Sequence, residues 1–374
     1  MVDSGYGARV WPVWRSVLRD YRAGDGRRAR ARLGFLTPPD GRGRVVWIKA
    51  GAGAAALRLG VELLGAVRDR RRDVRIVLTF EQDDPELLKE LLRPWPRVGI
   101  GYGPCDRPGV VRRVLARFQP CGIILAELGA APMNLLASTL ASVAVVGAPA
   151  APLPNGMVWP VSEANQRDWS DNGTAHDQMP AADPQARFVE AQVDVVLRVL
   201  TGGDERCLWW WHGESGQWLG WLAAWQRWEH ARRDILLFSF ADAGDPARID
   251  AVKVSTWDRQ PLPGGTLLHI DDCRWFGAAA SAATAVHLAV PGRDVLWQSL
   301  AAGCALTLGA EPGHARLPTS VLPKDEQVIR RWSELRGDLN HRRAEGDAAR
   351  RRFWDERRQV DANLAALLDR VWTW

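Results

Sequence analysis

The stretch that decides the fold runs from Val45 to Gly60 and reads VVWIKAGAGAAALRLG. An apolar, strand-like segment ends at Lys49, a turn rich in glycine and alanine follows, and a helical pattern begins directly after it. A strand that ends in a glycine turn at a helix N-terminus leaves backbone N–H groups free to face an anion. In an open α/β sheet, ligands usually bind at this position. We therefore expect Lys49, Gly51 and Gly53 to border a ligand site.

Strand-like and helix-like segments alternate on both sides of this turn. The first 150 residues contain four further strand-like segments, each separated from the next by a stretch of helical length. The alternation resumes after residue 184. Alternation of this kind predicts parallel sheets with right-handed crossovers. The sequence therefore predicts the α/β class, with two Rossmann-like lobes that face a cleft.

Changes in composition set the expected domain boundaries. A proline-rich, polar segment separates the two alternating regions, and a long charged helical pattern ends the chain. We expect an N-terminal lobe at 1–150, a linker at 151–184, a C-terminal lobe at 185–325 and a helical segment at 326–374. Within the C-terminal lobe, residues 185–200 are expected to form a helix.

Composition excludes several classes of protein. Of the 374 residues, 47% are hydrophobic and 25% charged, which is typical of a globular protein. No apolar run is long enough to span a bilayer, and the first nine residues lack a signal-peptide core, so we expect a cytoplasmic protein. The five cysteines form no C-x-x-C pair, and no H-E-x-x-H pattern occurs. We expect no metal site and no cofactor.

Charge is the second constraint on possible partners. The net charge is +5, but 44 acidic residues accompany the basic ones, so the composition does not favour nucleic acid. The segment 1–32 is basic and amphipathic, and it either lies on a membrane surface or packs on its own domain. The densest basic run, at residues 27–32, is either a patch for anionic lipid or nucleic acid or a solvated face.

Tryptophan is unusually frequent, with 20 residues against 8 phenylalanines. Four of them recur at spacings of three and four, so they share one helix face: Trp218, Trp221, Trp225 and Trp228. One interpretation is an aromatic interface with lipid or a partner. The interpretation that we favour is a helix face packed on the second sheet.

Three positions could carry chemistry. The pattern Gly51-x-Gly53-x-x-Ala56 fits a dinucleotide-binding turn, and Glu81 ends the next strand, where a ribose-binding acid would lie. Glu127 ends the fourth strand and could act as a general acid or base, or cap the following turn. The segment HGESG at 212–216 follows a strand of the second lobe and offers N–H groups, a hydroxyl, an imidazole and a carboxylate.

Several segments, read in order, resemble one family of glycosyltransferases. The segment YGPCDRP at 102–108 is similar to Y-L-P-Y-D-L-P, and residues 209–216 resemble W-I-A-x-S-T-H-E-G. Glu127 falls on the first acid of E-T-E-L-W-P-N, and GRDVL at 292–296 falls on G-H-N-P-L-E. From about residue 27 to 310 the chain thus resembles the Kdo transferases, which move 3-deoxy-manno-octulosonate from its CMP donor to lipid A.

The resemblance implies the glycosyltransferase B architecture, a CMP-Kdo-like nucleotide sugar and a lipid A-like acceptor. It makes Glu127 the remaining catalytic acid. It also assigns the 51–56 turn, with Lys49, Gly51 and Gly53, to the acceptor side. The nucleotide-sugar side is then formed by His212, Gly213, Glu214, Ser215, Asp271, Arg293 and Asp294.

The sequence departs from the family pattern at positions where the family has polar residues in its active site. The family's catalytic base falls on alanine, at Ala55 or Ala56, and alanine cannot take a proton. The arginine that meets the donor in the family falls near Asp242, where a carboxylate would repel a phosphate. The donor-side acid falls on Trp297. We also expect no counterpart of the family's N-terminal membrane anchor.

Three hypotheses follow from these observations. The first is a Kdo-transferase-like glycosyltransferase of lipopolysaccharide (lipid A–core) synthesis, degenerate or with an altered donor, located peripherally at the inner face of the membrane. The second is a catalytically inactive relative, a pseudoenzyme, that binds an envelope glycolipid or a protein partner. The third is a dinucleotide-dependent oxidoreductase, supported by the glycine pattern and Glu81.

Overall fold

The chain forms two compact units, which we call the first and the second unit. The first unit comprises residues 1–184 and 359–374, and the second comprises residues 185–358. The computed structural model describes residues 10–82, 84–91, 95–153, 156–171, 177–190, 196–201, 206–242, 250–290, 292–310 and 320–374. The expected N-terminal segment 1–32 therefore lies partly outside the described residues.

The first unit is built on a seven-stranded parallel sheet. Its strands are β1 (Val45–Ala50), β2 (Arg75–Phe80), β3 (Val98–Tyr102), β4 (Pro120–Ala126), β5 (Ser142–Val146), β6 (Gly156–Trp159) and β7 (Asp177–Gln178). They lie in the order β3-β2-β1-β4-β5-β6-β7, and every neighbouring pair is parallel. The helices are α1 (Val10–Arg22), α2 (Gly26–Arg32), α3 (Ala54–Arg70), α4 (Pro85–Leu91), α5 (Pro108–Phe118), α6 (Met133–Ser138) and α7 (Glu163–Asp171).

The second unit repeats this architecture. Its strands are β8 (Leu208–Gly213), β9 (Ile235–Phe240), β10 (Val252–Lys253), β11 (Leu267–His269), β12 (Ala285–Leu288), β13 (Ala305–Leu308) and β14 (Ser320–Val321). The order is β10-β11-β9-β8-β12-β13-β14, again parallel throughout. The helices are α8 (Trp218–Arg227), α9 (Phe276–Ala282), α10 (Arg293–Ala302), α11 (Asp325–Gly337) and α12 (Leu339–Trp372).

Strand β1, the strand of the opening stretch, is central in the first sheet. All six of its residues are buried, because elements cover both faces of the sheet, and this explains its near-continuous apolar sequence. Helix α3 packs closely on it, since a Cβ on Gly60 would lie 3.0 Å from Ala50 Cβ. The predicted strand, turn and helix are thus present where the sequence places them.

The segment 151–184 differs from the expectation of a linker. It contains β6, α7 and β7, and these elements extend the first sheet by two strands. The prolines that suggested a linker flank the short elements and do not interrupt them: Pro160 directly follows β6, and Pro180 follows β7. Proline is compatible with such strand ends, because the ladder there needs no further N–H donor.

Two further expectations are corrected in the second half. The helix expected over 185–200 is replaced, in its described parts, by short 3-10 turns at Pro184–Phe188 and Val196–Thr201. The segment 326–374 is not a separate domain. It contains the greater part of α11 and all of α12, and α12 runs through the second unit as far as residue 358 and belongs to the first unit from residue 359.

The C-terminal turn is tightly held in the first unit. The Arg71 guanidinium donates to the backbone carbonyls of Val371, Trp372 and Trp374 at 3.0, 3.2 and 3.4 Å. The Trp374 ring covers Gly122 at the start of β4, where a Cβ would lie only 1.7 Å from ring atom Cε3. Glycine is therefore required at position 122 by this close approach and not by backbone conformation.

The tryptophan-rich face of α8 packs inside the second unit. Trp218, Trp221, Trp225 and Trp228 are all buried, which confirms packing on the sheet and contradicts an exposed aromatic interface. They join Trp209 of β8 and Trp332 of α11, whose rings stack with centroids 4.9 Å apart.

Candidate functional site

The turns after β1 and β4 meet at the carboxyl edge of the first sheet. The Gly51 N–H donates to the Ala126 carbonyl at 2.9 Å. A Cβ on Gly51 would lie 2.0 Å from the Glu127 carbonyl oxygen, so only glycine permits this approach. Gly53 precedes α3 with a φ of +95°, which also favours glycine. Gly51 and Gly53 are thus both needed for the shape of the turn.

Glu127 has an unusual backbone conformation at this edge. Its φ is +48°, in the left-handed region that residues other than glycine rarely adopt. Its N–H donates to the Val146 carbonyl at 2.7 Å, which ties the turn to the end of β5. The neighbouring Gly147 leaves room for the side chain, since a Cβ there would lie 3.2 Å from Glu127 Cγ. Backbone strain of this kind concentrates at functional sites.

Lys49 and Glu81 form an ion pair beside the turn. Lys49 Nζ lies 3.1 Å from Glu81 Oε1, and the two side chains are only 4% and 14% exposed. The ammonium of Lys49 is therefore already balanced by a carboxylate. Glu81, for its part, is held by a lysine, which weakens its interpretation as a ribose-binding acid. The dinucleotide hypothesis then rests on the glycine pattern alone.

The first turn of α3 lacks an acidic residue. Gly53 precedes the helix without a side-chain cap, and alanines fill its first three positions. Ala56 is buried against the sheet, whereas Ala55 is half-buried. Between the two candidate positions for a base, Ala55 is thus the less enclosed.

In the second unit, the segment after β8 is bound by a carboxylate that follows β9. Asp242 Oδ1 accepts from the Ser215 N–H at 2.9 Å, and Asp242 Oδ2 accepts from the Ser215 hydroxyl at 2.7 Å. Glu214 and Gln217 form a reciprocal capping box at the start of this helical segment. The N-terminus that leads into α8 is therefore bound by a negative charge of the chain itself.

The same arrangement recurs after β11. Asp271 accepts from the Ser255 N–H at 3.1 Å and from the Ser255 hydroxyl. Asp272 accepts from Arg274, and this hydrogen bond lowers the pKa of the Asp272 carboxyl. The described residues at this carboxyl edge thus include five acidic side chains: Glu214, Asp242, Asp271, Asp272 and Asp294.

His212 lies at the end of β8 but points into the protein. It is buried, and its Nδ1 lies 2.9 Å from the Ser239 hydroxyl, which also accepts from Trp210 Nε1 at 3.0 Å. The Ser239 hydroxyl has one hydrogen and two lone pairs, so it can accept from the Trp210 indole and also form the hydrogen bond with Nδ1. Burial lowers the pKa of His212 to about 4. A Cβ on Gly292 would lie 2.8 Å from Nε2.

The predicted site residues fall into two groups, one in each unit. Lys49, Gly51, Gly53 and Glu127 meet at the carboxyl edge of the first sheet. The predicted donor-side residues lie along the carboxyl edge of the second sheet, in the last two positions of β8, after β8 and β11, and at the start of α10: His212, Gly213, Glu214, Ser215, Asp271, Arg293 and Asp294. Arg293 is half-buried in the first turn of α10, whereas Trp297 is buried in the core of this unit.

Sequence reasoning missed the role of one acid in the YGPCDRP segment. Asp106 accepts from the N–H groups of Asn134 and Leu135, at 2.9 Å each, and so binds the start of α6. The aspartate at the fifth place of the segment was the only signal, and the sequence could not indicate its partner.

One family model matches part of the chain. Residues 27–150 match the model described as 3-deoxy-D-manno-octulosonic-acid transferase (kdotransferase). This is the family that the sequence resembles. The matched range contains the turn after β1 and Glu127, but not the second unit. No curated protein is significantly similar to the chain in sequence.

Solved structures resemble both units together. A putative UDP-N-acetylglucosamine 2-epimerase from Listeria monocytogenes is 11% identical, with 89% of this chain and 98% of that chain covered and a TM-score of 0.61. A glycosyltransferase from Rickettsia africae is 10% identical, with 87% and 98% covered and a TM-score of 0.55. The UDP-GlcNAc 2-epimerase from Neisseria meningitidis, bound to UDP-GlcNAc, is 8% identical, with 87% and 100% covered and a TM-score of 0.55. These likenesses confirm the predicted α/β fold of two Rossmann-like lobes.

Proposed function

We propose that the chain is a Kdo-transferase-like glycosyltransferase of lipopolysaccharide synthesis that uses an altered donor. The family match over residues 27–150 supports the glycosyltransferase assignment. In this proposal Glu127 is the remaining catalytic acid, and a lipid A-like acceptor binds at the turn after β1. The left-handed conformation of Glu127 at the ligand edge of the sheet supports this role.

The observation that supports the proposal of an altered donor is the contact between Asp242 and Ser215. The N–H groups at a helix N-terminus are the usual binding site for a donor phosphate. Here the Asp242 carboxylate accepts from the Ser215 N–H and hydroxyl. A CMP phosphate at this place would have to displace that carboxylate and would be repelled by it. The exposed acidic residues nearby add to the repulsion.

We therefore expect CMP to bind only weakly, with a dissociation constant in the millimolar range by calorimetry. Asp242→Asn keeps the shape of the side chain and removes its charge, so it should strengthen CMP binding by about tenfold, the equivalent of ~1.4 kcal/mol. Asp355→Asn removes an exposed carboxylate from α12 and serves as the control. Micromolar binding of CMP to the unmodified protein would refute the altered-donor proposal.

Transfer to a lipid A precursor tests the proposed role of Glu127. With whichever nucleotide sugar supports transfer, Glu127→Ala should lower the rate by ~10²–10⁴-fold, the usual contribution of a general acid or base. Glu86→Ala, an exposed position in α4, should leave the rate unchanged. Transfer that proceeds equally well in Glu127→Ala would exclude Glu127 as the catalytic acid.

A second candidate is the inactive relative. It is favoured by the alanines in the first turn of α3, where no acid can serve as base. This candidate predicts saturable binding of a lipid A-like glycolipid without transfer from any nucleotide sugar. The same transfer assay, combined with a binding measurement, separates it from the first proposal.

The first unit also presents a surface suited to peripheral membrane contact, which we include in the proposal. Among the described residues we find no helix with the length and apolarity of a membrane span. Helix α1, however, exposes Trp14, Leu18 and Tyr21 by 59, 47 and 71%. Their spacing of four and three puts them on one face. Arginines interrupt the same helix at positions 15, 19 and 22, and such a helix favours an anionic membrane surface.

We expect the protein to sediment with vesicles that contain phosphatidylglycerol and much less with neutral ones. Trp14→Ala combined with Leu18→Ala should reduce this binding severalfold, because both remove apolar area from the contact face. Leu339→Ala, which shortens an exposed apolar side chain at the start of α12, is the control. Equal binding of the double variant would exclude α1 as the contact.

A further inference from the structure

The second unit contains a large cavity on the side opposite its candidate donor site. Its volume is about 860 Å³. The walls come from the starts of β8, β12 and β13, from the ends of α9 and α10, and from α12. Because all strands of this sheet are parallel, their starts lie at the opposite edge from residues 212–216. The cavity is therefore separate from the site that carries the proposed function.

Positive charge dominates the lining of this cavity. One acidic residue, Asp347, is among the described lining residues. Five arginines surround it: Arg206, Arg336, Arg342, Arg343 and Arg350. Three of these arginines come from the first three turns of α12, so the helix presents a row of guanidinium groups to the cavity.

Three of the arginines already have structural partners, and the first of them, Arg206, donates to the Leu262 carbonyl. Arg336 donates to both oxygens of the buried Asp234, at 3.0 and 3.1 Å. Arg350 donates to the Ala302 carbonyl at the end of α10 at 3.0 Å and pairs with Asp347 at 3.3 Å. These three guanidinium groups are accounted for by the fold.

The other two arginines of α12, Arg342 and Arg343, are not held by contacts of this strength. Arg342 contacts the Cys207 sulfur at 3.9 Å, which is a weak interaction for a guanidinium. Arg343 is exposed and forms no hydrogen bond or ion pair with the residues that the structure describes. Both line the cavity. Two guanidinium groups thus border the same space, and neither forms an ion pair with a carboxylate among the described residues.

The arrangement depends on a close approach of two glycines. A Cβ on Gly346 of α12 would lie 2.5 Å from the Gly303 carbonyl oxygen. Gly303 itself has a φ of +72°, and a Cβ there would lie 2.4 Å from Arg350 Cζ. A glycine inside a helix costs about 1 kcal/mol relative to alanine, so its presence at 346 is explained by this contact. The contact sets α12 and its arginines against the end of α10.

We propose that this cavity binds a compact polyanion that carries two or more phosphate groups. Planar guanidinium groups match phosphate oxygens in pairs, and several of them converge here. The volume lies within the range of about 300–1,000 Å³ that is typical of small-molecule sites. The hydroxyl-bearing residues Ser281 and Thr284 line the wall facing α12 and can add hydrogen bonds. A soluble diphosphate and a phospholipid headgroup share this chemistry.

Inorganic pyrophosphate is the first probe, and calorimetry at about 0.15 M salt is the measurement. We expect saturable binding and a rise in the melting temperature with pyrophosphate concentration. Arg343→Glu should weaken the affinity at least tenfold. Arg351→Glu is the matched control, because the substitution changes the charge by the same amount as Arg343→Glu. Arg351 is exposed on the same helix but does not line the cavity. It should change the affinity by less than twofold.

Two results would overturn the proposal: no binding of pyrophosphate at millimolar concentration, or an equal loss in Arg343→Glu and Arg351→Glu, which would indicate a general charge effect. A parallel arm uses vesicles that contain cardiolipin. Vesicle binding that Arg343→Glu weakens and Arg351→Glu does not would assign the phosphate groups to a lipid, whereas pyrophosphate binding alone would assign them to a soluble compound. The CMP experiment concerns the other edge of this sheet and the transfer experiment concerns Glu127 of the first unit, so their failure would leave these outcomes unaffected.

Discussion

Replacing Asp234 with alanine should lower the free energy of unfolding by about 3–5 kcal/mol, the usual effect of breaking a buried ion pair. The Asp234 side chain is fully buried, between β8 and β9. It accepts from Trp209 Nε1 at 2.9 Å and from the Cys207 N–H at 3.1 Å. It also pairs with Arg336 of α11 through both oxygens. One carboxylate therefore joins two strands and a helix.

The cost is large because alanine leaves several donors without an acceptor. The Trp209 indole, the Cys207 N–H and the Arg336 guanidinium would all lose this acceptor in a region that water does not reach freely. Unfolding in urea, followed by tryptophan fluorescence, measures the loss. Asp355→Ala, which removes an exposed partner of Arg358, should change the free energy of unfolding by at most about 1 kcal/mol.

A double-mutant cycle shows whether the ion pair itself accounts for the loss. Arg336→Ala alone should also be strongly destabilising, since it leaves Asp234 buried and unpaired. If the two residues act as one unit, the double variant should lose clearly less than the sum of the two single losses. Additive losses would show that the Trp209 and Cys207 contacts carry the effect.

The sequence predicted the parts of the fold that depend on local pattern. The strand, glycine turn and helix at 45–60 are visible because the apolar period changes at the turn. The 151–184 segment was misread because β6 and β7 are only four and two residues long, and prolines adjoin them. Strands of that length are too short to show a clear strand periodicity in the sequence, so the neighbouring prolines indicated a linker. Their pairing with a neighbouring strand stabilises them, and that pairing is not local.

The site was predictable only in part, for the same reason. Strand ends can be read from the sequence, and they place Glu127 and residues 212–216 at the carboxyl edges of parallel sheets. The partners of these residues cannot be read in this way. Ser215 and Asp242 are 27 positions apart and meet only because β8 and β9 are neighbours in register. The resemblance shows that the family's donor-contacting arginine falls near Asp242. That Asp242 contacts Ser215 can be seen only in the structure.

The second large effect that we expect is a loss of stability in mild acid, caused by two buried histidines. His212 has its pKa lowered to about 4, and His287 has its pKa lowered to about 3, in both cases because burial disfavours the charged ring. His287 lies against Trp221 and hydrogen-bonds Thr307, with its Nδ1 3.1 Å from the hydroxyl oxygen. Both rings are neutral in the folded protein at pH 5, whereas a histidine in the unfolded chain, with a pKa of about 6.5, is largely protonated there.

Proton uptake by the unfolded chain therefore lowers the free energy of unfolding as the pH falls below about 6.5. At pH 5 each histidine should contribute about 2 kcal/mol to this loss, so the two together should contribute about 4 kcal/mol between pH 7 and pH 5. His287→Gln removes one titrating group, and urea unfolding at both pH values should then show a loss smaller by about 2 kcal/mol. Leu339→Ala, at an exposed position on α12 that carries no titrating group, should leave the difference between the two pH values nearly unchanged. A pH dependence that is the same in His287→Gln and in the unmodified protein would show that His287 is protonated to the same extent in the folded and unfolded chains, contrary to its burial against Trp221.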